Sequence, residues 1–209
     1  PLNKSLYGVE GGHALLLNDT LYIALAEFTA PPHFVPSNIA LWRAKFDFST
    51  NPFTWPTEWT RLRTLYRSEG RVLCDSYRAS LGSSVALAFN NDTNHFEIFY
   101  VGFKSCNDSK FVNRYGRIFR GVSDVPGYSH GGIEGPYTDV SVVLQPDNTS
   151  QPWEGEQGVD SMQPYFLGPG EGWAAFYGSA NTQDPSPLIK QVVGQAFAPN
   201  LSGPWRRTE

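Results

Sequence analysis

The sequence predicts an all-β chain, a β-propeller built from four-stranded antiparallel blades. Three observations predict it. A short phrase recurs as Leu41-Trp42-Arg43-Ala44, Ile118-Phe119-Arg120-Gly121 and Val193-Gly194-Gln195-Ala196. Its spacing of about 76 residues suits a large propeller blade. Each copy follows two short apolar runs bounded by Asn, Asp, Gly and Pro, and helical periodicity is nearly absent. A β-sandwich of similar strands is the alternative, but a repeat of four-strand units suits radial stacking better than a Greek key.

Each unit reads in the same order. A first apolar strand spans residues 13–17, 84–89 and 162–167. The stretch 84–89, Ser-Val-Ala-Leu-Ala-Phe, is almost wholly apolar, as an inner strand covered on both faces should be. Hairpins follow at Asn18-Asp19-Thr20, at residues 90–94 and at residues 168–172, built from residues that tolerate positive φ. An aromatic second strand covers 21–28, 96–103 and 173–177, and the recurring phrase forms the third. A closing strand is marked twice, by Gly135-Pro136-Tyr137 and Gly203-Pro204-Trp205. The units run over about 8–70, 78–145 and 158–209, within one propeller domain. Propellers close with four or more blades. Three units therefore read as part of a larger ring, completed by further blades from the same or another chain. A start at Pro1 rather than Met reads as a missing leader or a larger missing N-terminal part.

Composition narrows the function classes. The chain has 209 residues, 40% hydrophobic and 14% aromatic, ample for a buried core. Only 17% of residues are charged and the net charge is −4, so no basic stripe exists to replace the counterions of a nucleic acid. No apolar run approaches the length of a membrane span. His13, His33, His95 and His130 are scattered without metal-ligand spacing, so no metal and no cofactor is expected. Neither a nucleophile elbow nor a phosphate loop occurs.

Asn-X-Ser/Thr acceptor sequences occur at Asn3, Asn18, Asn91, Asn107, Asn148 and Asn200, mostly at turns where a glycan fits. The plainer alternative is that Asn-Asp-Thr is simply good turn chemistry. Cys74 and Cys106 flank the first hairpin of the second unit and read as one disulfide, with two buried thiols as the alternative. Together these features point to a secreted or cell-surface glycoprotein.

The run from Arg117-Ile118-Phe119-Arg120-Gly121 to Gly135-Pro136-Tyr137, and the stretch from Ala196 through Asn200-Leu201-Ser202-Gly203-Pro204-Trp205, resemble the five-bladed propellers of furanosidase-like glycoside hydrolases. That group includes arabinanases, β-xylosidases, invertases and levansucrases. The resemblance implies a five-bladed ring with carboxylates at its axial mouth, at the starts of the innermost strands. One acts as general acid and another as nucleophile or base, their separation deciding retention or inversion. The matching positions are Glu10, Asp75 and Asp160. His13 and Gln163 stand beside two of these entries as candidate sugar contacts. Trp153 lies in a Pro-rich loop, where its indole can stack on a sugar or pack blade against blade. Glu134, in Ile133-Glu134-Gly135-Pro136, looks like the Glu-Gly-Pro around the general acid of some xylosidases. Alignment of Gly135-Pro136-Tyr137 with Gly203-Pro204-Trp205 instead puts it on an outer strand, at the rim. The group's Asp-Pro at the first inner strand and its Arg-Asp-Pro triplet are absent.

The expected function is that of a secreted, carbohydrate-associated propeller that binds or hydrolyses a glycan at its central funnel. The alternative is a catalytically inactive, N-glycosylated structural module that self-assembles outside the cell. Whether the chain is an enzyme stays open at this point.

Overall fold

The computed structural model describes residues 8–28, 37–49, 56–68, 78, 80–104, 114–155, 157–180 and 191–208. They form three antiparallel sheets in chain order. Sheet 1 holds β1 (Gly8–Glu10), β2 (Ala14–Leu17), β3 (Thr20–Phe28), β4 (Ser37–Lys45) and β5 (Thr60–Arg67). Both β1 and β2 pair with β3, so together they make one interrupted inner strand. Sheet 2 holds β6 (Ser80–Asn90), β7 (His95–Lys104), β8 (Arg114–Ser123) and β9 (Tyr137–Leu144). A short helix, α1 (His130–Glu134), precedes β9. Sheet 3 holds β10 (Ser161–Gly168), β11 (Gly172–Ala180), β12 (Gln191–Ala198) and β13 (Arg206–Arg207).

The hairpins use the backbone freedom that their sequences offer. Asn18 (φ 54°) turns β2 into β3, and Asn94 (φ 60°) turns β6 into β7. The recurring phrase falls on the third strand of every sheet, β4, β8 and β12. The two Gly-Pro-aromatic sequences lead into the fourth strands β9 and β13.

Alternation along the strands decides the stacking. On β7, Phe96, Ile98 and Tyr100 point to sheet 1, whereas Phe99, Val101 and Phe103 point to sheet 3. The core between sheets 1 and 2 joins Leu17, Tyr22, Ile39 and Leu41 to Val85, Leu87, Ile98 and Tyr137. The core between sheets 2 and 3 joins Ala86, Phe99 and Ile118 to Met162, Tyr177, Leu201 and Trp205. Sheet 2 is therefore the middle of three layers. Its inner strand β6 touches the inner strands of both neighbours, β2 and β10. A two-layer sandwich cannot do this; sheets fanned about a shared hub must. The architecture is that of a β-propeller.

Polar clasps lock neighbouring sheets. Arg43 of β4 donates to the Glu134 carboxylate ahead of β9 at 2.9 Å. One sheet on, Arg120 of β8 donates to Ser202 Oγ ahead of β13 at 2.7 Å. Arg120 also makes a bidentate pair with Glu97, a carboxylate with no solvent exposure. Sheets 1 and 3 hold related pairs, a partly exposed Arg61 on the buried Glu27 and a buried Arg207–Glu154.

These pairs differ in what they contribute. Glu97→Ala strands a buried guanidinium and is expected to cost about 3–5 kcal/mol in urea unfolding. Arg43→Ala, which removes half of an exposed pair, is expected to cost no more than about 1 kcal/mol. Equal costs for the two would mean that burial does not set the strength of the clasps.

Candidate functional site

The inner strand of sheet 1 breaks where the sequence reads Gly11-Gly12. β1 pairs Glu10 with Ala26, and β2 pairs Ala14 with Ile23, so the register shifts by one residue across the gap. Gly11 has φ 45°. A Cβ on Gly12 would lie 2.4 Å from the Ala24 carbonyl oxygen. Both glycines are thus required by a bulge that presses against β3. The strand begins at Gly8, so residues 10–13 form a kink within it rather than its entry.

The inner strand of sheet 2 is irregular as well, between Gly82 and Ala86. The two irregularities meet. His13 N donates to the Val85 carbonyl at 2.8 Å, and His13 Nδ1 lies 3.3 Å from the Leu87 carbonyl. A carbonyl only accepts, so this contact places a ring proton on Nδ1. Bulges of this kind re-aim side chains and gather beside functional sites. Glu10 on this kink is exposed, and His13 is half-buried.

The third inner strand is led in by residues 157–160. Gly158 (φ 74°) bridges to Gly116, and Val159 is buried. Asp160 follows, half-buried, with its backbone N–H bonded to the Gly178 carbonyl at 2.8 Å. Glu10 and Asp160 both lie beside the far ends of their second strands, β3 and β11. Gln163 lies on β10 opposite Phe176, half-buried. Trp153 packs on the core between sheets 2 and 3, with its ring 5.6 Å from that of Tyr177. Asp75, Cys74, Cys106, Asn3 and Asn107 lie outside the described residues.

Glu134 belongs elsewhere. It closes α1, beside the start of β3 and the end of β4, at the opposite end of the sheets from Glu10. Tyr22 Oη donates to Glu134 Oε1 at 2.9 Å and lies 2.7 Å from His130 Nδ1. With its own proton given to the carboxylate, the phenol accepts from His130. An open cleft of about 950 Å³ adjoins this cluster, lined by Thr20, Arg43, Lys45, Glu58, His130 and Glu134. Repeat symmetry explains the position of Glu134. Ser202 occupies the same place before Gly203-Pro204-Trp205, and each receives an arginine from the preceding sheet. The aromatic that follows bonds back in both cases: Tyr137 Oη to Ile133 O at 2.8 Å, and Trp205 Nε1 to Leu201 O at 3.1 Å. Sequence reading missed Tyr22, His130 and both arginines. The arginine repeated in the third-strand phrase, at Arg43 and Arg120, is the signal that could have found them.

The described glycan acceptors are not equivalent. Asn91 and Asn148 stand on exposed turns together with the hydroxyl residues of their sequences, Thr93 and, half-buried, Ser150. Asn18 is exposed, but Thr20 is buried with its hydroxyl donated to Asp19 at 3.0 Å. Asn200 is half-buried, next to a fully buried Leu201, and Ser202 is engaged by Arg120. Among the described residues no cluster of His, Cys, Asp or Glu could hold a metal ion, and no helix is long and apolar enough to cross a membrane.

No protein-family profile and no curated protein matches the chain. Solved structures share its fold. BT0996, in its RGII complex, superposes with a TM-score of 0.64 at 12% identity, over 100% of this chain and 58% of that one. A family 117 glycoside hydrolase from the marine bacterium Zobellia galactanivorans gives 0.57 at 14%, over 98% and 55%. The GH43_1 enzyme from Xanthomonas citri, complexed with xylotriose, gives 0.53 at 15%, over 100% and 57%. The chain thus has the fold of propeller-type glycoside hydrolases and spans a little over half their length. At these identities the likeness concerns the fold alone.

Burial, then the hydrogen bond to Glu134, pushes the Tyr22 phenol up to about 12. Burial, then the charge of Glu154, does the same for Tyr177. A folded-state value raised from 10 to about 12 means that the folded chain keeps protons the unfolded chain has lost. Stability from these groups is full below pH 10 and disappears as pH rises through about 12. Urea midpoints measured across that window should fall, and Tyr22→Phe with Tyr177→Phe should flatten the decline. A midpoint that stays level would contradict the assignment.

Proposed function

We propose that this chain is a secreted, carbohydrate-associated propeller that binds a glycan at the axial end of its inner strands. Glu10 and Asp160 are the acid/base pair in this reading, and His13 Nε2 is a sugar contact. The observation that carries it is the junction of two inner-strand bulges, at residues 10–13 and between Gly82 and Ala86, joined by His13 N–H and the Val85 carbonyl. The fold supports the same reading, because solved propellers that share it include glycoside hydrolases, one of them complexed with xylotriose. An exposed carboxyl can serve as acid or base once substrate excludes water, and the separation of the pair then selects retention or inversion.

The test is a panel of furanoside and pyranoside oligosaccharides, followed by calorimetry for binding and by product analysis for hydrolysis. Binding is expected to weaken in His13→Ala. If product forms, Glu10→Gln should lower its rate by about 10²–10⁴-fold while binding persists. Binding without product identifies a lectin-like module. No binding by the wild-type chain to any member of the panel would overturn the proposal.

A further inference from the structure

The corner where α1 meets sheet 1 departs from the repeat. Arg43 and Arg120 are equivalent, paired with Tyr22 and Phe99 on the neighbouring strands. Two residues along, the pair Thr20–Lys45 of sheet 1 matches Glu97–Val122 of sheet 2. Between sheets 2 and 3 this corner is closed. Arg120 lies on the buried Glu97 carboxylate, and its side chain is only 11% exposed. Between sheets 1 and 2 a threonine stands where that carboxylate would be, and a lysine where the valine would be. Thr20 is buried and donates its hydroxyl to Asp19. Arg43 therefore has no carboxylate on its own sheet at this position; it donates to Glu134, and its side chain stays 45% exposed. Lys45 is held by Asp19 at 2.7 and 2.9 Å, with 74% of its side chain exposed. The cleft of about 950 Å³ lies at this corner. Residues 56–60 supply more of its lining. There the Trp59 indole donates to the Pro56 carbonyl at 3.0 Å, and Thr60 pairs with Arg43 on the edge of the sheet.

We propose that this cleft is a second ligand site, for a neutral oligosaccharide, separate from the axial one. Its size is that of small-ligand pockets. The lining selects the ligand class. Both cations are already matched by carboxylates, Arg43 by Glu134 and Lys45 by Asp19, so an anionic ligand would have to break those pairs. Asp47 and Glu58 add further carboxylates, which repel a polyanion. The paired groups nonetheless keep hydrogen-bonding capacity. A guanidinium and an ammonium carry more N–H donors than these contacts use, and a carboxylate carries more lone pairs. The exposed Thr57 and Thr60 contribute hydroxyls. A ligand dense in hydroxyl groups and without charge uses that capacity and leaves the ion pairs intact. Side chains held by strand pairing and by ion pairs also lose little freedom when such a ligand binds. This inference goes beyond the axial reading and stands on different residues, at the opposite end of the sheets.

Carbodiimide labelling of carboxyl groups in the full-length protein, read by mass spectrometry, tests it. Glu58 and Glu10 are both exposed and report on the two sites separately. A neutral furanoside or pyranoside oligosaccharide, at about ten times its Kd, is expected to slow labelling of Glu58 about tenfold. Lys45→Met, which alters only an exposed pair, should abolish that protection and leave Glu10 as it was. Protection of Glu58 that survives Lys45→Met would put the sugar outside the cleft and overturn the proposal. Spermine and oligogalacturonate serve as charged probes. Protection of Glu58 by either of them, and by no neutral sugar, would overturn the ligand class. Protection of Glu10 alone would overturn this inference and keep the axial one, whereas protection of Glu58 alone would do the reverse. Protection of neither would overturn both.

Discussion

Strand β7 of sheet 2 has water on neither face, and that constraint organises everything around it. A strand whose odd and even residues are both buried needs a partner layer on each side. β7 meets this requirement with aromatic and branched side chains along most of its length and a single buried charge, Glu97. Such a charge is tolerable only when fully paired, and Arg120 pairs it with two hydrogen bonds, assisted by Asn90 and Ser202. Ser202 comes from the sheet 3 side. The polar arrangement thus does more than neutralise a carboxylate: it fixes the distance and angle at which the third sheet docks. Arg43 and Glu134 hold the first pair of sheets in the equivalent place, at the solvent edge, where geometry matters more than strength.

Much of this was legible in the chain itself. The recurring phrase located the third strands, and turn residues such as Asn18 and Asn94 located the first hairpins. The nearly unbroken apolar run at 84–89 foretold a strand covered on both sides. What could not be read was the irregularity of the inner strands. Gly11-Gly12 looks like a loop or a strand entry, because periodicity carries no mark of a register shift. Only the proximity of Gly12 to the Ala24 carbonyl reveals a bulge. Contacts between sheets were hidden for a similar reason. Tyr22 and Glu134 are separated by 112 residues, and no local pattern joins them.

The candidate site and the cleft of about 950 Å³ lie at opposite ends of the sheets. Glu10 lies on an inner strand and Asp160 just ahead of one, each beside the far end of its second strand. The cleft beside Glu134 arises from a different cause. It lies where α1 leans against the first sheet, and Arg43, His130 and Glu134 of its lining are already committed to that contact. A carboxylate resting on a phenol and an arginine, with an imidazole behind the phenol, serves to hold α1 in place, whereas Glu10 stands exposed on the kink at residues 10–13. Position within the repeat therefore separates the two acidic candidates better than their neighbouring sequence does.

Ser202 draws together two separate matters. Its hydroxyl anchors the docking of the third sheet, and it is also the hydroxyl that an oligosaccharyl-transfer enzyme must read beside Asn200. In the folded blade that hydroxyl is half-buried and accepts from the Arg120 guanidinium. A sugar added at Asn200 would therefore have to displace that contact or precede the docking of the third sheet. The turns at Asn91 and Asn148 impose no such deadline. Occupancy at Asn200 would then act as a clock, recording how long the nascent chain stayed open.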